Sequence, residues 1–163
     1  MEPKITPKLI RETWREFSEY NDAEVIAMVK LFQKEQPAVL TYLVAAGGEP
    51  FEGDEQQLLL FYGTIIWRLM KEAGYADARI PVAVLDSLQE LNVDLLTQMP
   101  AGDAELFEQV LALMEGYPEP DLLDTLLNLL FHDKDAEADT PHIRGQNLGL
   151  AFMYLKTEID AFL

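Results

Sequence analysis

Apolar positions recur along the chain at three- and four-residue intervals, and no stretch alternates in the manner of a strand. The longest apolar run is Leu58-Leu59-Leu60-Phe61-Tyr62-Gly63-Thr64-Ile65-Ile66-Trp67, ten residues without a charge before Arg68. Such a run is too short for a bilayer span, which takes ~20 residues. With no polar face, it predicts a helix covered on most sides by other helices.

Upstream, Ile10, Trp14 and Phe17 mark a first helix from about Pro7 to Tyr20. Asn21 and Glu24 have the spacing of a capping box, opening a second helix whose Val25, Met28, Val29 and Phe32 face inward. Pro37 favours a break, followed by a short helix from Ala38 to Ala46 with Gly47-Gly48 as its left-handed stop. Asp54 with Gln57 resembles another capping box and opens the long apolar helix, which ends near Gly74.

In the second half, Pro81 begins a helix with a stripe of Leu85, Leu88, Leu91, Leu95 and Met99, stopped by Pro100. Asp103 caps the next, ended by Gly116, and Pro120 leads into Leu122, Leu123, Leu126, Leu127 and Leu130. Those leucines exceed what one narrow stripe requires: a fully buried helix is the first reading, and an exposed groove the alternative. Thr140-Pro141 starts a last helix that turns Leu148, Phe152, Leu155, Ile159 and Phe162 inward.

Caps, prolines and glycines agree between the halves. Asp22-Ala23-Glu24-Val25 answers Asp103-Ala104-Glu105-Leu106, Pro37 answers Pro118, and Gly63 answers Gly149. The predicted fold class is all-α: a single globular domain over residues 1–163, of about eight helices in two similar halves, about 1–80 and 81–163, as a tandem pseudo-repeat. The two long helices are expected to meet, with Gly63, Gly145 and Gly149 allowing close backbone approach.

Charge changes the functional picture. The net charge is −17, with −4 in residues 1–80 and −13 in residues 81–163. No basic residue lies between Arg79 and Lys134. Such a surface repels phosphate, so neither nucleic acid nor an anionic membrane is an expected partner. There are no cysteines, hence no disulfide, thiolate metal site or cysteine nucleophile. The N-terminal residues lack a signal-peptide pattern, and the expected location is cytoplasmic.

Candidate chemistry is sparse. Both histidines and four carboxylates fall between His132 and His142. The alternating acids resemble a calcium loop, but Ala138 stands where the turn needs glycine and Arg144 where a bidentate glutamate should close the site. His132, His142, Asp135 and Asp139 remain the candidate metal ligands, because imidazole with carboxylate suits a transition metal. The paired Glu-x-x-His motifs of a di-metal bundle are absent, as are a phosphate loop, a dinucleotide fingerprint and a glycine-flanked serine. Arg68, the one charge on the apolar helix, and Arg144 are the candidate anchors for a ligand or partner; the bland alternative for Arg68 is pairing with Glu72.

No motif is specific enough to name a family or an activity. The expected function is a non-enzymatic protein-interaction or regulatory helical domain without a cofactor, binding a basic protein partner or a second copy of itself. The alternative is a metal-binding protein or metal-dependent enzyme using the loop at 132–142.

Overall fold

A computed structural model describes residues 3–98, 108, 112, 115–131 and 143–163. Among the described residues the fold is all-α, with seven α-helices and no strand. Helix α1 (Pro7–Ser18) starts where the sequence places it: the Thr6 hydroxyl accepts from the Leu9 amide at 3.1 Å, and Pro7 occupies the first turn. Helix α2 (Asp22–Glu35) has the expected capping box, in which Asn21 Oδ1 accepts from the Glu24 amide at 2.8 Å. Then follow α3 (Pro37–Ala46), α4 (Gly53–Glu72), α5 (Val82–Gln98) and α6 (Pro120–Phe131), and a 3-10 turn, Gly145–Asn147, leads into α7 (Leu148–Phe162).

Two helices organise the core. The apolar run becomes α4, which packs against α1, α2, α3 and α7; α7 in turn packs against α3, α4, α5 and α6. Ile65, Trp67, Leu69 and Met70 of α4 and Leu155 and Ile159 of α7 are wholly buried. Trp67 lies nearly parallel to Phe32 of α2, with ring centroids 4.9 Å apart. Fully burying side chains of this size stabilises by roughly 1.5–3 kcal/mol each, so these two helices hold the fold together.

Several local expectations need correction. Helix α4 is opened by Glu52 and Glu55, not by Asp54 and Gln57: the Glu52 amide donates to Glu55 Oε1 at 3.0 Å. Gly47 ends α3 at φ −74°, and the left-handed values fall instead at Gly74 (φ 86°) and Gly116 (φ 81°). Leu91 is 66% exposed, whereas Asn92 beside it is buried. The cause is polar. Asn92 Nδ2 donates to Thr157 Oγ1 at 3.0 Å and to Asp160 Oδ2 at 3.1 Å, while its Oδ1 accepts from Lys156 Nζ at 3.0 Å. Turning Asn92 inward rotates Leu91 out by about 100°, one residue's worth of helix.

The leucines of α6 do not form an exposed groove. Leu122, Leu123, Leu126, Leu127 and Leu130 are all buried, because α7 and α1 cover this helix. Helix α7 starts at Leu148, later than the expected start at Thr140-Pro141, because Arg144 is extended (ψ 150°) and Gly145–Asn147 form the 3-10 turn. Thr140, Pro141 and most of the helix expected from Asp103 lie outside the described residues.

Candidate partner-binding groove

Among the described residues, a wide concavity lies on the α2–α4 face. Its walls come from half-buried or exposed Val25, Ile26 and Val29 of α2 and from Leu58, Leu60 and Phe61 of α4, with buried Thr64 among its lining. The Thr64 hydroxyl donates to the Leu60 carbonyl at 2.8 Å, so the polar atom is already satisfied within the helix. The groove measures about 840 Å³, within the ~300–1,000 Å³ typical of ligand sites. A smaller depression of about 260 Å³ against Leu43 and Val44 of α3 adjoins it across Gln57 and Leu60. Ile26 and Val44, exposed at 55% and 61%, flank the whole.

Two contacts fix the orientation of the walls. Phe32 stacks on Trp67, and further along both helices Lys71 Nζ donates to Glu35 Oε2 at 2.7 Å. Helices α2 and α4 therefore run in the same direction. Asp22 and Asp54, each in the first turn of its helix, share one end of the groove, and Lys30 stands two turns further along α2.

The sequence-predicted site residues lie elsewhere. His132, His142, Asp135 and Asp139 are outside the described residues. Among the described residues no cluster of three histidines or acids is arranged to hold a metal ion. Arg68 Nη2 pairs with Glu72 Oε1 at 2.8 Å, and its Nε is buried without a hydrogen-bond partner. Arg144 is a latch between α4 and the segment entering α7: its amide donates to Glu55 Oε2 at 2.9 Å, its Nε to Glu55 Oε1 at 3.0 Å, and its Nη1 to Glu52 Oε1 at 3.2 Å. Nη2 of the same guanidinium also donates to the Pro50 carbonyl at 3.1 Å.

Sequence reasoning missed the buried polar groups. Glu119 is wholly buried and accepts from the Lys4 and Ile5 amides at 2.8 and 3.0 Å and from the Tyr75 hydroxyl at 2.5 Å. Burial and that hydrogen bond push the Tyr75 hydroxyl up to about 12. Lys156 Nζ pairs with Asp160 Oδ2 at 2.8 Å, and Tyr117 donates to Asp160 Oδ1 at 2.5 Å. Burial, with the Asp160 charge, pushes the Tyr117 hydroxyl up. The cavity beside Asn92 and Lys156 measures about 10 Å³, room for about one water and none for a substrate. These clusters are staples between distant segments. Their partners lie 43 or more residues apart, apart from the Lys156–Asp160 pair within α7, so no local pattern announces them.

No helix among the described residues is long and apolar enough to cross a membrane. No protein-family model, curated protein or solved structure matches the chain.

Proposed function

We propose that this chain is a non-enzymatic interaction or regulatory domain whose α2–α4 groove receives an amphipathic helix from a protein partner. The observation that carries the reading is the groove itself. It is apolar, about 840 Å³ in volume, and open along two parallel helices with Ile26 exposed at its edge. Helices that bind in this manner lay an apolar face with anchors at i, i+3, i+4 and i+7 into such a trough. A net charge of −17 favours a basic partner and opposes a second copy of the same chain. The internal polar clusters supply no competing site, since their donors and acceptors are occupied by one another.

Comparative capture tests this. The wild-type chain, Ile26→Asp and Leu91→Asp are each used to retrieve proteins from a host extract. Both replaced residues are exposed apolar side chains, but only Ile26 lines the groove. A partner retained by Leu91→Asp and lost with Ile26→Asp supports the reading. A partner held equally by both variants, or lost only with Leu91→Asp, overturns it.

A further inference from the structure

The two ends of the groove carry opposite charges, and this restricts what fits. Asp22 and Asp54 sit together at the end where α2 and α4 begin, while Lys30 is the one cation among the groove's lining residues. Eight residues of α2 separate Asp22 from Lys30, a rise of about 12 Å. That exceeds the ~10 Å screening length near 0.1 M salt, so the two ends act on a partner separately. It also matches the span of two helical turns, over which an amphipathic helix presents its i, i+4 and i+7 anchors.

Resting on the groove reading above, we propose that the occupant is an amphipathic helix with a charge gradient of its own. Lysine or arginine lies at the end facing Asp22 and Asp54, apolar anchors lie against Val25, Ile26, Val29 and Phe61, and an acidic or neutral residue faces Lys30. A second copy of this chain is a poor occupant, because it brings the same net charge of −17 to a rim with two acids and one base. The apolar walls supply most of the contact area, and the rim charges set the direction in which the helix lies.

The test uses a displayed library of helical peptides of about 18 residues with a fixed leucine stripe, the flanking positions being randomised among Lys, Glu and Ser. It is selected against the full chain. The expected binders carry lysine at one end only. Their affinity falls about tenfold in Asp22→Lys/Asp54→Lys, the effect expected of two reversed rim charges. In the milder Asp22→Asn/Asp54→Asn, which removes the charges and leaves the caps Asn21 and Glu52 in place, the loss is about threefold. Binders lost with Ile26→Asp but indifferent to both rim variants, and without an end-to-end charge bias, overturn the charge gradient and leave the groove standing. Binders indifferent to Ile26→Asp, or no binders at all, overturn the groove reading and the gradient with it.

Discussion

The Glu55 carboxylate receives the Arg144 guanidinium and amide, the Glu52 amide and the Asn147 side chain at 2.8–3.2 Å. Burial alone pushes this carboxyl up, but those donors outweigh it and hold it at about 2. Glu158 of α7 is buried as completely, yet neither of its carboxyl oxygens has a hydrogen-bond partner, and burial pushes it well above the usual range. The two groups therefore have opposite pH signatures. A depressed native value stabilises above the unfolded value of about 4.3, and that stability is lost as pH falls towards 2. We expect Glu55→Gln to cost about 3 kcal/mol at pH 7 and much less at pH 3, measured by urea unfolding at both pH values. For Glu158 the sign reverses: the native state keeps a proton that the unfolded chain releases, so stability falls as pH rises above about 4.3. Glu158→Met should gain about 1–3 kcal/mol at pH 8 and little at pH 4, read from thermal unfolding. A variant no more stable at pH 8 would mean that the carboxyl is not an uncompensated buried group.

At the scale of elements, Gly63 shows why α4, α3 and α7 meet where they do. A Cβ there would run into Leu43 Cδ1 and lie 3.2 Å from Glu158 Oε1. Alanine gains ~1 kcal/mol of helix propensity. Against this stands overpacking: Leu43, 1% exposed, must shift to admit the added methyl. We expect Gly63→Ala to destabilise by about 1–2 kcal/mol net, and the loss to shrink when Leu43→Ala is added, which a double-mutant cycle reads directly. Gly145, by contrast, has open space at its Cβ position and needs no close approach to explain it. This contrast marks how far the sequence is legible. The helix start at Asn21 with Glu24 is local chemistry and could be read directly, as could the start of α1 near Pro7. The uninterrupted apolar run identified α4 as a buried helix, and periodicity picked out the inward Leu148, Phe152, Leu155, Ile159 and Phe162 of α7. The face of α5 was misread because a buried Asn92 depends on Lys156 and Asp160, more than sixty residues away. The groove was hidden for a related reason. Val25 and Val29 belong to the stripe expected to face inward with Met28 and Phe32, yet they line the groove: periodicity shows which face is apolar without showing whether another helix covers it.

At the scale of the whole molecule, the proposed function assigns charge and shape different parts in recognition. If the proposed function holds, the excess of seventeen negative charges would attract a basic partner at long range and the α2–α4 groove would supply the contact. Association should weaken by several-fold between about 0.05 and 0.5 M salt, because exposed charges are screened and apolar burial is not. The central claim is that the partner helix lies between α2 and α4, and methyl NMR on the complex tests it most directly. With Ile, Leu and Val methyl groups labelled, the account predicts that titrating the partner shifts Val25, Ile26, Val29, Leu58 and Leu60, and leaves Val82 and Leu91 of α5 in place. Shifts concentrated on Val82 and Leu91, with the α2–α4 methyls unmoved, would contradict it.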